Sequence, residues 1–222
     1  MGAFAEIIGS AKQVLFVPFA VAEHDWYTTR FNEVLAPVGV PLVGLHAAPD
    51  PVAAVEEAEV LFIGGGNSFR LLDTLWRLNL VEPIRRRVQA GDLRFIGSSA
   101  GSNMACPTLR TTNDMPIVQP PTFEAIDLIP FQINPHYQDP PLDSTHRGET
   151  REQRLREFLE ENDVAVLGLR EGSWLRRQGA SLKLAGVFGA RLFQRGQEPR
   201  EFVPGDDLSF LLDQTPRFDT PT

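Results

Sequence analysis

The chain has 222 residues but only one cysteine, Cys106. A single cysteine excludes an intramolecular disulfide and a cysteine-rich metal site, so we expect Cys106 to be a buried thiol. Basic residues are also outnumbered, because 21 Lys and Arg stand against 29 Asp and Glu, for a formal net charge of −8. An acidic chain is poorly suited to nucleic acid or to an anionic membrane surface, and we expect neither as a partner.

Long apolar runs are a second thing that the sequence lacks. No segment approaches the roughly 18–20 apolar residues of a membrane span. The stretch "KQVLFVPFAVA" ends in small residues, but it is short and contains Pro18, so we interpret it as a buried first strand rather than a signal peptide. The sequence therefore predicts a cytoplasmic protein. With 42% hydrophobic residues, its length suits one domain over residues 1–222.

Short apolar runs alternate with amphipathic segments along the chain. The predicted strands are 13–20, 40–46, 59–66, 131–136 and 164–172, with a further strand and turn at 93–101, and the predicted helices are 24–39, 51–58, 68–80, 81–91 and 149–162. A proline-rich excursion follows residue 105, and hairpin signals mark the last fifty residues. Fully apolar strands in β-α-β order predict an α/β fold with a mainly parallel sheet covered by helices on both faces.

The segment "GSSAG" over residues 97–101 has the spacing G-x-S-x-G. This spacing is typical of a nucleophile elbow, in which a strand turns sharply into a helix and lifts a serine hydroxyl above the sheet. Only Ser99 has glycines two residues away on both sides, so it is the predicted nucleophile. The backbone N–H of Ala100 would then face a developing oxyanion from a helix N-terminus.

A glycine-rich segment, "GGGN" over residues 64–67, ends the preceding strand. Its backbone can approach a ligand closely, and the N–H groups of Gly65 and Gly66 are candidates for the second oxyanion donor. Asn67 is a candidate for substrate binding. No Lys-Ser/Thr pair follows, which excludes a P-loop.

A serine nucleophile needs a base and a carboxylate that orients the base. Among the four histidines, His136 closes the strand in "INPH" and is best placed to be the base. Two carboxylates compete for the third role. Asp114 lies in the excursion, whereas Glu171 closes a strand, which is the more rigid platform. The order Ser, His, Glu departs from that of α/β-hydrolases.

Five segments of the chain resemble serine peptidase family S51 and follow one another in the same order as in that family. These segments are "GGGNSFRLL", "FIGSSAGSNMACPTLRTTNDMPIV", "FEAIDLIPFQINPH", "HRGETREQRLREFL" and "LREGSWL". The resemblance implies a three-layer α/β/α sandwich similar to class I glutamine amidotransferases. It implies hydrolysis of dipeptides with N-terminal aspartate, without metal or cofactor. It assigns the nucleophile to Ser99 and the base to His136, and it leaves the third member open between Asp114 and Glu171.

An aspartyl side chain needs a cation, and arginine can bind it with two hydrogen bonds. Arg110, Arg151 and Arg154 are the candidates, and all three lie in the segments that resemble the family. A dipeptidase must also exclude longer peptides, so we expect the segments 107–130 and 137–148 to wall the site.

Two alternatives are open at this point, and a third, a glutamine amidotransferase, is excluded by the serine at position 99. The family also contains cyanophycinases, which cut a β-aspartyl-arginine linkage and would need an acidic rather than a basic pocket. A non-catalytic binding protein would be expected to lack the serine, the histidine or the carboxylate, and all are present. A glutamine amidotransferase would need cysteine at position 99. Apolar residues in the C-terminal strands make a homodimer a further expectation.

Overall fold

The computed structural model describes residues 2–139 and 148–220. It divides into two compact units. The first unit comprises Met1–Leu109 and Asp114–Leu128, and the second comprises Arg110–Asn113 and Ile129–Thr222. A single peptidase domain over residues 1–222 stays a prediction.

The first unit alternates helices and strands. The strands are β1 (Val14–Val17), β2 (Leu42–Gly44), β3 (Val60–Ile63) and β4 (Arg94–Gly97). The helices are α1 (Gly2–Ile8), α2 (His24–Leu35), α3 (Pro51–Glu57), α4 (Ser68–Arg77), α5 (Val81–Ala90) and α6 (Ala100–Ala105). The strands form a parallel sheet in the order β2-β1-β3-β4, which is the arrangement that β-α-β crossovers produce.

Alternate residues of these strands point to opposite faces of the sheet, and each face has its own core. On one face, Leu15 and Leu61 pack with buried residues of α3, α4, α5 and α6. On the other face, Phe16 and Phe62 pack with residues of α1 and α2. The first unit is therefore a three-layer α/β/α arrangement, as the apolar strand pattern predicts.

Local signals in the sequence set several helix ends of this unit. Asp50 begins α3 as its N-cap, accepting from the N–H groups of Val52 and Ala53. Asn67 caps α4 in the same way, through the N–H of Arg70. Gly91 ends α5 with φ +84°, a left-handed conformation that suits glycine.

The second unit contains a mixed sheet and a hairpin. Its elements are β5 (Gln132–Pro135), α7 (Arg151–Glu161), β6 (Val166–Leu169), β7 (Ser173–Gln178), β8 (Ser181–Gly186), β9 (Ala190–Phe193) and β10 (Arg200–Phe202). The sheet order is β10-β9-β6-β5, with β5 and β6 parallel and the other pairs antiparallel. Leu155 and Leu159 of α7 pack on Val166 and Phe193 of this sheet.

The α/β class with a mainly parallel sheet is confirmed, and the differences from the sequence are local. Strands are shorter than predicted; for example, the stretch 40–46 holds only a three-residue strand before a 3-10 turn at Leu45–Ala47. The sequence missed α1, whose seven residues carry weak periodicity and which is held by packing of Ile8 and Phe4. No helix within the described residues is long and apolar enough to cross a membrane.

Candidate functional site: a nucleophile elbow and a histidine–carboxylate pair

Ser99 lies at the sharp turn between β4 and α6. Its backbone has φ +53° and ψ −111°, a region that residues with side chains seldom adopt. Strain of this kind persists only where the surrounding structure enforces it, and it concentrates at functional sites. The helix α6 begins at Ala100, so the N–H of Ala100 is one of the four that a helix start leaves without an intrahelical partner. The observed turn has the strand–turn–helix geometry expected of an elbow, and the role of Ser99 as a nucleophile stays a prediction.

The two glycines of the elbow are required by close backbone packing. A Cβ on Gly97 would lie 2.5 Å from the carbonyl oxygen of Gly101. A Cβ on Gly101 would lie 2.2 Å from the carbonyl oxygen of Ile63. Both distances are far inside van der Waals contact with backbone atoms. The spacing G-x-S-x-G thus follows from the approach of α6 to β3 and β4.

The glycine loop 64–66 lies beside the serine. A Cβ on Gly65 would be 3.0 Å from the Cβ of Ser99 and 3.6 Å from its Oγ. Gly66 has φ +129° and packs on Ala20, whose carbonyl oxygen a Cβ would approach to 2.6 Å. A side chain at position 65 would therefore collide with Ser99, and glycine lets the loop lie beside the serine.

Asn67 and Asp114 together hold the start of α4. The side chain of Asn67 accepts from the N–H of Arg70 at 3.1 Å and donates to the carbonyl oxygen of Met115 at 2.9 Å. Asp114 Oδ2 accepts from the N–H of Ser68 at 2.7 Å. A carboxylate at a helix N-terminus is favourable because the helix dipole is positive there. This geometry gives Asp114 a bracing function in the first unit, and substrate binding by Asn67 stays a prediction.

His136 and Glu171 form a close pair in the second unit. His136 follows β5 and Glu171 lies two residues beyond β6, so parallel pairing of β5 with β6 brings the two side chains to one edge of the sheet. The distance from His136 Nδ1 to Glu171 Oε2 is 2.5 Å. His136 has φ +54°, a second strained position. A carboxylate on Nδ1 favours the proton there and makes Nε2 the basic nitrogen.

Arg170 forms an ion-pair network with Asp139 and Glu201 that the sequence did not predict. Arg170 donates two hydrogen bonds to Asp139, each 2.8 Å, and two to Glu201, at 2.8 and 3.2 Å. Its guanidinium also lies 5.7 Å from the ring centroid of Tyr137. The guanidinium hydrogen-bonded to Asp139 holds the pKa of that carboxyl below its ordinary value, against the opposing effect of burial. The only sequence signal was an arginine directly before Glu171 in "LREG".

The three candidate arginines all belong to the second unit but differ in their surroundings. Arg110 donates to both oxygens of Asp219 at 2.7 and 3.0 Å, and it also lies 5.5 Å from the ring centroid of Phe218. Arg151 begins α7 and is partly buried, whereas Arg154, one turn later, is exposed and lies 3.5 Å from Glu149. The two guanidinium nitrogens with which Arg110 could bind a substrate carboxylate are therefore already bonded to Asp219.

Two further expectations concern cysteine and the loop walls. Cys106 is buried, as its single occurrence in the sequence suggests. Of the expected wall at 137–148, residues 140–147 lie outside the described residues. Within the ranges 2–139 and 148–220, no group of three or more His, Cys, Asp and Glu is arranged to hold a metal ion.

Comparison with known proteins places these features in a family. The family model for peptidase family S51 matches residues 2–185. The chain is 59% identical over 213 residues to "Peptidase E" of Streptomyces coelicolor, covering 96% of this chain and 87% of that protein. It is 48% identical over 203 residues to "Probable alpha-aspartyl dipeptidase" of Drosophila melanogaster, covering 91% and 85%.

A solved structure supports the fold as well. The crystal structure of a peptidase from an acI-B1 actinobacterium matches with a TM-score of 0.64 at 18% identity, covering 94% of this chain and 88% of that one. The family match spans the elbow at Ser99, the loop at Gly64–Gly66 and the His136–Glu171 pair. With an S51 model over most of its length and close curated relatives, the chain belongs to peptidase family S51.

Proposed function

We propose that this protein is a serine dipeptidase that hydrolyses Asp-Xaa dipeptides, with Ser99 as nucleophile, His136 as general base and Glu171 as the orienting carboxylate. The observation that carries the proposal is the backbone of Ser99, held at φ +53° and ψ −111° between two required glycines, in a member of family S51. The dipeptidase name of a close relative supports the substrate class.

The reaction follows from the chemistry of these groups. Nε2 of His136 takes the proton of the Ser99 hydroxyl as the oxygen attacks the scissile carbonyl, while Glu171 stabilises the imidazolium. Backbone N–H groups of Ala100 and of Gly65 or Gly66 bind the oxyanion. The histidine then gives its proton to the leaving amine, and an aspartyl ester remains on Ser99. Water, activated by the same histidine, hydrolyses this ester and releases aspartate.

Glu171 is proposed as the third member because of where the two carboxylates lie. Glu171 Oε2 is 2.5 Å from His136 Nδ1, which is the contact that an orienting carboxylate makes. Asp114 instead accepts the N–H of Ser68 at the start of α4. The two assignments make different predictions for conservative variants, which are given in the Discussion.

Recognition of the substrate aspartate is proposed for Arg151 or Arg154. Arg110 is the weaker candidate, because its two terminal nitrogens each donate a hydrogen bond to the carboxylate of Asp219. Replacing the responsible arginine by Met should raise KM for Asp-Leu far more than for Asn-Leu, because only the charged side chain loses its partner. Cytoplasmic location, a homodimer and walls formed by segments 107–130 and 137–148 stay predictions.

The testing experiment compares hydrolysis of Asp-Leu and Asp-p-nitroanilide with that of Ala-Leu, Glu-Leu and an aspartyl tripeptide. Ser99→Ala should abolish cleavage of the aspartyl substrates. Ser102→Ala is the matched control, because its hydroxyl donates to the Gly97 carbonyl in the same segment and should leave the rate nearly unchanged. Activity that survives Ser99→Ala would remove the nucleophile assignment. Cleavage of β-aspartyl-arginine in preference to Asp-Leu would instead assign the protein a cyanophycinase-like activity.

A further inference from the structure

The glycine loop 64–66 is held in place by an aromatic residue from outside the loop. Tyr27 lies on α2, and its hydroxyl donates a hydrogen bond to the carbonyl oxygen of Gly65 at 2.8 Å. Its ring lies against Gly64, where a Cβ would approach Tyr27 Cε1 to 2.9 Å. The loop is thus confined by Tyr27 at Gly64 and Gly65, by Ser99 at Gly65 and by Ala20 at Gly66.

The position of Tyr27 is itself well determined. Its ring packs edge-on against Phe31, with centroids 4.9 Å apart, and lies 5.4 Å from the ring of Phe16. Burial raises the pKa of the Tyr27 hydroxyl. The hydroxyl therefore stays protonated, and remains a donor, throughout the pH range in which a histidine base works.

The hydrogen bond to Gly65 acts on the N–H of Gly66. The peptide group between Gly65 and Gly66 is planar and trans, so its N–H points opposite to its C=O. Fixing the carbonyl on Tyr27 therefore aims the N–H of Gly66 away from α2. A donor on the carbonyl oxygen also polarises the peptide and strengthens its N–H as a donor.

We propose that Tyr27 is a positioning residue for catalysis, holding the Gly65–Gly66 peptide so that its N–H serves as an oxyanion donor beside Ser99. This inference rests on the proposed function, because it needs Ser99 to be the nucleophile. The sequence alone shows Tyr27 only as an apolar-spaced residue of a helix, 38 positions from the loop that it contacts.

The test is Tyr27→Phe, which removes one hydroxyl and keeps the ring packing. An oxyanion donor acts mainly in the transition state, and losing a whole donor costs about 10²–10³ in kcat. Because the N–H is misaligned rather than removed, we expect kcat for Asp-Leu to fall about tenfold, with KM changed by less than about twofold. Affinity for an aspartyl aldehyde, which forms a tetrahedral adduct on serine, should fall by a similar factor.

A further variant separates positioning from general packing. Phe31→Leu disturbs the packing around Tyr27 but keeps the hydroxyl that bonds to Gly65. It should therefore lower Tm while kcat stays close to that of the parent. A Tyr27→Phe enzyme with kcat within twofold of the parent would overturn the proposal. So would a drop in kcat that Phe31→Leu reproduces.

Failure of the inference is distinguishable from failure of the proposed function. If Ser99→Ala abolishes cleavage while Tyr27→Phe leaves kcat intact, the function stands and Tyr27 is merely structural. If Ser99→Ala remains active, the nucleophile assignment falls, and the inference about Tyr27 falls with it.

Discussion

At the scale of single residues, the environments of Glu171 and Asp114 make separable predictions. Glu171→Gln keeps the shape of the side chain but removes the charge that favours the imidazolium, so kcat should fall by about 10²–10⁴. Asp114→Asn keeps an oxygen able to accept from Ser68, so its kcat should fall by no more than a few fold. Steady-state kinetics on Asp-Leu compare the two. A larger loss in Asp114→Asn would transfer the orienting role to Asp114.

The glycines of the elbow give a prediction about stability. Gly101→Ala places a Cβ 2.2 Å from the backbone oxygen of Ile63, which cannot move without shifting β3. We expect a loss of roughly 2–3 kcal/mol in the free energy of unfolding, at the upper end of the usual range for overpacking. Urea unfolding measures it, with Gly2→Ala as control, since a Cβ there meets nothing within 4 Å. Equal stability of both variants would contradict the packing argument.

At the scale of elements, the contacts of Arg170 join β6 to the chain that follows β5 and to β10. It holds Asp139, which follows β5, and Glu201 of β10. Interactions of this kind keep the ends of two strands in register after the ladder of backbone hydrogen bonds has ended. The network also has an acid-sensitive member, Asp139.

The pH dependence follows from the sign of the Asp139 shift. Its pKa in the folded protein lies below the ordinary 3.8, mainly because of the hydrogen bonds from Arg170. A depressed carboxyl pKa contributes stability above its unfolded value, and the contribution is lost as pH falls through the folded value. The Tm difference between the parent and Asp139→Asn should therefore be largest near pH 7 and shrink below about pH 4. A difference that is constant down to pH 2.5 would contradict this origin.

At the scale of the whole chain, Arg110 links segments that are 109 positions apart. It pairs with Asp219, and the same C-terminal segment is tied down by paired backbone hydrogen bonds between Asp163 and Arg217. We therefore expect Arg110→Met to lower Tm, by a modest amount because the ion pair is largely exposed. KM for Asp-Leu should stay within about twofold of the parent, because Arg110 is bonded to Asp219 rather than assigned to the substrate.

Asp219→Asn completes a double-mutant cycle with that variant. If the two side chains act through each other, the double variant loses less Tm than the sum of the single losses. A rise of KM in Arg110→Met, without the same rise in Asp219→Asn, would instead support substrate binding by Arg110.

Much of the candidate site was predictable because its signals are local. Three positions show this: the elbow at Ser99 is encoded by glycines two residues on either side, His136 closes an apolar strand, and Glu171 follows another. Arg170 and Tyr27 were not predictable in the same way. Their partners lie 31 and 38 positions away, and no short-range pattern marks such a contact.

The sequence by itself determined the alternation of strands and helices from β1 to α6, the glycine spacing around Ser99 and the short list of candidate titratable groups, because apolar period, glycine spacing and helix caps act over a few residues. Only the tertiary structure decided which groups meet. Parallel pairing of β5 with β6 brought Glu171 to His136, and close packing of α4 engaged Asp114 at its N-terminus. Contacts of this kind depend on strand register and helix packing, and these are set by the whole core rather than by any one segment.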